Sequence, residues 1–433
     1  MSRRCHHRSV LLVAASLTAL ATIASPSLAR AEGNSVAAQG EVAAAVPEVS
    51  PPPPIAGGGE DAEAPPAKWY DAIKLEGFVD AYASANFNAP KPNVNTLRAF
   101  DVNNGASLHW AGLNASFAPE PVGGTLSLRF GPSAPIYNGA DASIGLTYVK
   151  QAFASWKPFE RWTIDVGKYD QPFGSEVADS QYNLNYTRSA LYAYAQPLFF
   201  TGARVDFAAT DAVDVKLFAV NGWNRTVDNN SGKSGGAQLT IKPSDAFLIA
   251  LGYLGGPEQA DVIGCASGTR PNTTTGACDP AAGAPASSAE VSGANSRLRH
   301  LADAVIDATP IEHLRLLFNA DYGTEKLPTQ TVKWYGANLV VAYAFSPIVA
   351  AAVRGEYYAD PDGFTLGTGA KSKMIDGTVT LSVTPTKNLL LKLDLRMDRV
   401  DVDGVPNGIF LKGSSDTSRS QLTSTLGVVA TTN

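Results

Sequence analysis

From Lys74 onward the chain alternates apolar and polar residues with a period of two, the repeat of a strand that shows different surroundings to its two faces. In KLEGFVDAYASANF, Leu75, Gly77, Val79, Ala81, Ala83, Ala85 and Phe87 share one parity, while Lys74, Glu76, Asp80, Ser84 and Asn86 share the other. Leu314, Leu316, Phe318 and Ala320 alternate in the same way with Arg315, Leu317, Asn319 and Asp321. The cleanest run sets Leu389, Leu391, Leu393, Leu395 and Met397 against Lys392, Asp394, Arg396 and Asp398. Such runs reach about 10 to 14 residues, whereas strands of soluble proteins cluster near 5 or 6 and strands that cross a membrane need about 9 to 11.

The pattern predicts about sixteen strands, near 74–87, 106–117, 124–131, 146–156, 161–169, 200–208, 213–221, 235–242, 246–255, 298–308, 313–323, 333–345, 348–359, 373–384, 388–399 and 419–431. Short connections (APEPVG, KPFE, ATDA, PSD, TPIE, SP, PTK) alternate with long ones, of which 170–199 and 256–297 are the longest. This alternation predicts an all-β fold: a closed transmembrane antiparallel barrel with short periplasmic turns, longer external loops and both termini in the periplasm. In lipid only helices and closed barrels satisfy every backbone group. A soluble β-propeller is the structural alternative, but no blade-length repeat is present and propeller strands are shorter. Trp156, Phe159 and Trp162 flank the KPFE turn, and Tyr343 and Phe345 precede the SP turn, as an aromatic girdle at a membrane surface requires.

Composition agrees with this reading. Charged residues are 17% of the 433, below the roughly 25% of soluble domains, and 39 Gly with 28 Pro supply many turns. A net charge of -6 argues against a nucleic-acid partner, because phosphate binding needs a basic face. Residues 1–31 read as a secretory signal: MSRRCHHR is basic, VLLVAASLTALATIA is apolar, and Ala29-Arg30-Ala31 precedes a cleavage site at Glu32. Residues 32–68, rich in Ala, Pro and Glu, read as a disordered periplasmic linker, and 69–433 as the barrel. Cys5 falls in the leader, so Cys265 and Cys278 are the only pair in the exported chain and are expected to form a disulfide.

Catalytic constellations are absent from the expectation. His109, His300 and His313 lack metal-ligand spacing, and no metal or cofactor is predicted. Gly232-Lys233-Ser234-Gly235-Gly236 matches a nucleophile pattern but follows a strand in a polar loop instead of forming a strand-to-helix elbow. Asp360-x-Asp362-Gly363 and Asp401-x-Asp403-Gly404 read as Asp/Gly turns, with Ca²⁺ ligation the alternative.

Three stretches in order resemble a known family. GKYDQPFGSE at 167–176, followed by Asn183, Asn185, Arg188 and Ser189 and then by QPLFFTGARV at 196–205, is similar to the signature stretch of the β-barrel porin family of OmpL-like outer-membrane porins. VNGWN at 220–224 with Asp228 to Asn230, and RGEYYADPDG at 354–363, resemble two further segments of that family. The resemblance spans about residues 74–430. It implies an outer-membrane barrel of a Gram-negative bacterium with pore activity and no defined substrate. It also implies contact with outer-membrane lipid and with the barrel-assembly machinery. The C-terminal LTSTLGVVATTN departs from the family pattern in lacking a final aromatic residue.

The inward parity carries charge: Arg129, Asp165, Arg204, Asp206, Lys216, Arg315, Asp321, Arg354, Glu356, Lys392, Asp394, Arg396 and Asp398. An Arg or Lys facing lipid at mid-bilayer costs about 2 to 4 kcal/mol, so these residues are expected to line a polar lumen, with neighbours of opposite sign partly neutralising each other. Residues 170–199 are expected to fold inward as the constriction. Asp170, Glu176 and Asp179 would then face the wall bases across a narrow aqueous gap, with Arg188 as the segment's own counter-charge. A lid over the mouth, packed by Tyr182, Tyr186, Tyr192, Tyr194 and Phe199, is the alternative. The function expected is passive diffusion of small hydrophilic solutes or ions. The alternative is a non-conducting barrel whose external loops bind a partner.

Overall fold

The computed structural model describes residues 69–432. The expected signal segment and linker lie outside them. Sixteen strands close into one antiparallel barrel in sequence order. They are β1 (Lys74–Asn86), β2 (Gly105–Phe117), β3 (Val122–Phe130), β4 (Val149–Phe159), β5 (Trp162–Asp170), β6 (Phe199–Thr210), β7 (Val213–Val220) and β8 (Ser234–Ser244). Then follow β9 (Phe247–Pro257), β10 (Leu298–Ile311), β11 (Leu314–Lys326), β12 (Thr331–Ala344), β13 (Val349–Asp360), β14 (Ser372–Thr386), β15 (Leu389–Val402) and β16 (Ser420–Thr431). β1 closes on β16 with Phe78 opposite Thr431 and Asn86 opposite Thr423. Every expected strand coincides with one of these to within three residues at each end.

The two parities face opposite media. On the outside, Leu75, Val79, Val166, Leu217, Val353, Ile375, Val379, Leu395 and Met397 are exposed. On the inside, the alternating partners Asp80, Asp321, Arg354, Asp376, Asp394, Arg396 and Asp398 are buried. Aromatic rings gather at both rims of the apolar belt: Trp162 lies 4.4 Å from Phe207 near the short turns, and Tyr322 lies 6.4 Å from Tyr335 toward the long loops.

The long connections hold structure that alternation does not announce. Residues 133–138 form a short helix, and Leu191–Ala195 form one π-helical turn. In the 258–297 loop, Val262–Cys265 pairs with Ser287–Glu290 and Thr269–Asn272 with Ala277–Pro280. Cys265 and Cys278 are bonded across this pair of hairpins, with Cα atoms 5.7 Å apart. Phe410–Lys412 and Asp416–Ser418 form a third hairpin.

Candidate functional site: the lumen and its inserted segment

After β5 ends at Asp170 the chain does not return over the rim. It runs through the barrel interior and rejoins the wall at Phe199. Its contacts reach mid-height on distant strands: Asn185 donates to Thr380 Oγ1 on β14 at 2.6 Å, and the Tyr186 hydroxyl donates to Asp80 on β1 at 2.7 Å. Two wall glycines make room for it. A Cβ on Gly427 of β16 would fall 2.1 Å from the Tyr186 ring, and one on Gly252 of β9 would fall 2.4 Å from the Phe173 ring.

Apolar packing holds one side of the segment. Phe173 lies against Phe200 and Phe218, within a cluster that also contains Tyr169, Val220, Leu254 and Leu301. Leu184 packs on a second inward apolar patch formed by Ala250, Val305, Leu317, Val340 and Ala352. Leu191, fully buried, packs with Trp334 and Tyr358, and Trp334 Nε1 donates to the Ala195 carbonyl at 3.1 Å.

Charge holds the other side. Glu176 accepts from Arg354 Nη1 on β13 at 2.9 Å, and also from the Ser189 amide at 2.9 Å. Asp179 accepts from Arg129 Nε and Nη2 on β3 at 2.8 and 2.9 Å, a bidentate pair, and Lys150 stands 3.2 Å away. Asp170 pairs with Lys150 and accepts from the Tyr137 hydroxyl at 2.6 Å. The wall answers with acceptors for the segment's backbone. Glu356 takes the amides of Ala190 and Leu191 at 2.8 Å each, capping the π turn, and Asp394 takes those of Tyr186 and Thr187. Lys392 donates to the carbonyls of Ser180 and Asn183.

This geometry corrects two expectations. No aqueous gap separates Glu176 and Asp179 from the wall: each is in direct, buried contact with an arginine, because a desolvated carboxylate gains most from a touching guanidinium. Arg188 is not the counter-charge of the segment. Its guanidinium donates to the carbonyls of Val177, Ala178 and Tyr186 and to Ser180 Oγ, and lies 5.5 Å from the Phe100 ring. Arg354 and Glu356 attract each other through space, as expected of neighbours of opposite sign, while their direct partners lie elsewhere: Arg354 binds Glu176 and Asp376, and Glu356 binds the π turn.

The remaining expected wall charges face inward, and all but Asp321 are paired with an opposite charge. Arg396 binds Asp398 at 2.7 Å as well as Asp376, and Asp398 also binds Arg98. Toward the short turns, Arg204 binds Asp165, Lys216 binds Asp206 and Asp214, and Arg315 binds Asp307. Arg315, Asp307 and Asp206 keep about a quarter of their side-chain surface exposed, so this half is wetter than the middle. Asp321 accepts from Gln196 Nε2 and lies within hydrogen-bonding reach of Asp303. Sequence reasoning missed Lys150, Asp303, Asp376 and Arg98. Asp303 and Asp376 follow the inward parity of β10 and β14 and could have been found. Lys150 could not, because the β3–β4 register shifts beside it and turns it inward against the alternation.

The other candidate groups are structural. His109 stacks between Phe100 and Trp110, His300 Nδ1 meets the Tyr253 hydroxyl at 2.8 Å, and His313 lies against Tyr343 at a turn. Ser234 donates to Glu258 at 2.9 Å. Asp360 accepts the amides of Phe364 and Leu366, and Asp401 pairs with Arg399 and Arg419, so both acidic motifs are engaged in their loops. Among the described residues no group of three or more His, Cys, Asp or Glu side chains could hold a metal ion. Burial pushes the Glu258 carboxyl at the mouth up to about 7.

Residues 72–431 match the family model described as "Putative beta-barrel porin-2, OmpL-like". No curated protein matches the sequence. Among solved structures, the outer-membrane channel DcaP of Acinetobacter baumannii is similar at 10% identity with a TM-score of 0.55, covering 83% of this chain and 96% of that one. An anion-selective porin from Comamonas acidovorans is similar at 11% identity and 0.52, over 83% and 99%. OprB of Pseudomonas putida is similar at 13% identity and 0.52, over 83% and 94%. At these identities the likeness is one of fold.

Proposed function

This chain belongs to the β-barrel porin-2, OmpL-like family and is an outer-membrane porin barrel, and from that premise we propose that it passes small hydrophilic solutes or ions by passive diffusion beside the segment 170–199. The observation that carries the proposal is the chemistry of the interior. A charged inner wall is paired, residue by residue, with a segment that spans it from Arg129 on β3 to Arg354 on β13. A sixteen-stranded wall encloses more space than side chains alone fill, and the inserted segment supplies the difference. In this reading the passage beside the segment is narrow, which favours ions and small polar solutes over large ones. No catalytic step is assigned. In this reading both termini lie in the periplasm, the linker 32–68 extends there, and the assembly machinery inserts the barrel.

One observation favours a second reading, a non-conducting surface barrel. At mid-height Arg98, Arg354, Asp376, Asp394, Arg396 and Asp398 are all at most 7% exposed, as they would be in a filled lumen. Planar bilayers separate the two. Stepwise ion conductance supports the channel, and its absence at high salt supports the surface barrel. Under a salt gradient, Glu176→Gln together with Asp179→Asn frees Arg354 and Arg129 of one negative partner each and is expected to move the reversal potential toward anion preference. An unchanged reversal potential removes the constriction role from these residues.

A further inference from the structure

Two aspartates on the lumen wall stand against each other without a counter-charge. Asp303 on β10 and Asp321 on β11 are direct partners across the strand pair, and each is 4% exposed. Among the described residues neither makes an ion pair, whereas Asp165, Asp179, Asp376 and Asp398 each hold an arginine. Their donors are neutral. Asp303 Oδ2 accepts from the Gly174 amide at 3.2 Å and from Asn319 Nδ2 at 2.8 Å, and Asp321 Oδ2 accepts from Gln196 Nε2 at 2.7 Å. The other oxygen of each carboxylate is buried and has no donor from another residue, and the two carboxyl groups are within hydrogen-bonding reach of each other. Two facing carboxylates removed from water repel each other and lack solvation, so something of positive charge must join them.

A shared proton would satisfy the charge but not the neighbours. Gln196 Oε1 is buried without a partner; it lies beside Gly174, where a Cβ would fall 2.2 Å from it, and Gly174 in turn donates to Asp303. Asn338 on β12 is 2% exposed, stands directly across from Asn319, and has no partner for either its oxygen or its nitrogen. Two carboxylate and two amide oxygens without a donor thus lie on β10, β11, β12 and the inserted segment that packs against them. Glu356 stands beyond Asn338 in the β12–β13 pairing, but both its oxygens are taken by the Ala190 and Leu191 amides.

We propose that Asp303, Asp321, Gln196 and Asn338 form a site for a hard divalent cation of the Ca²⁺ class. An all-oxygen donor set suits such an ion, and a double positive charge balances the two carboxylates. Gly174 and Gln196 sit near opposite ends of the inserted segment, so the bound ion ties both ends of it to β10 and β11.

The test is Ca²⁺ titration of the mature protein, purified from membranes in detergent, refolded in chelator and followed by calorimetry. Wild type is expected to bind one equivalent at this site. Asp303→Asn with Asp321→Asn, which keeps shape and removes charge, should lose that equivalent or weaken it by about 100-fold or more, while Asp401→Asn at the outer loop should keep it. Folding of each variant is checked by its heat-modifiable mobility. Should the double variant fail to fold, Asn338→Ala, which removes one neutral oxygen, is expected to weaken binding by about tenfold. No binding to wild type at millimolar Ca²⁺, as a proton-sharing pair would give, overturns the proposal. So does a folded double variant, or a folded Asn338→Ala, that binds like wild type.

Discussion

Glu176 and Asp179 are three residues apart in the chain, yet they reach arginines on strands that stand far apart around the barrel. Burial works to raise the Asp179 carboxyl, but Arg129 and Lys150 outweigh it and hold that carboxyl well below the usual range. A depressed value in the folded state means the stabilisation is fully present above the ordinary carboxylate range and is lost only as pH falls through the folded value. Asp179→Asn at neutral pH leaves Arg129 and Lys150 buried with one partner fewer, and should lower the unfolding free energy by about 3 to 5 kcal/mol in urea titrations. Glu258 has the opposite sign. Buried against the Trp223 amide and Ser234, its folded value is raised to about 7, so the stability it contributes is full below its ordinary value and lost as pH rises through about 7. The urea midpoint should fall between pH 5 and pH 8, and Glu258→Gln should flatten that slope. The inward position of the charges was legible from parity alone. Their partners were not, because Arg129 and Asp179 are 50 residues apart, Glu176 and Arg354 are 178 apart, and nothing local encodes such pairs.

At the scale of elements, the strands were legible because lipid and lumen impose opposite demands on alternate residues. Their ends ran past the expected turns where the ladder continues through a register shift, as between Ala308 and Ile311 or Val383 and Thr386. Val353 lies near the middle of β13 on the outer face, so Val353→Arg should destabilise the barrel in a bilayer by about 2 to 4 kcal/mol, measured by refolding into vesicles. The hairpins within 258–297 escaped the period-two reading because each strand is only four residues long. Closing that loop with Cys265 and Cys278 contributes about 3 kcal/mol in the simplest chain-entropy model. Replacing both cysteines by serine should therefore speed proteolysis within the loop and leave the heat-modifiable shift of the barrel unchanged.

At the scale of the whole molecule, sixteen strands set the perimeter and one segment sets the interior. The residues that carried the family resemblance build that segment. Asn183 brackets Val177 with two hydrogen bonds, Asn185 and Arg188 tie it to β14 and to its own backbone, and Asn224 of the VNGWN stretch receives the Leu198 amide as the chain rejoins the wall. That the long connection 170–199 turns inward was an expectation of the sequence. That it is packed on both sides, by Phe173 and Leu184 on one and by ion pairs on the other, depends on wall residues scattered from Asp80 to Gly427. The most direct test of the account replaces Val177–Tyr194 with a short Gly/Ser linker and compares single-channel conductance with wild type in planar bilayers. The account predicts small steps for wild type and steps several-fold larger for the variant. Equal conductance in the two proteins, with the variant folded and inserted, would contradict it.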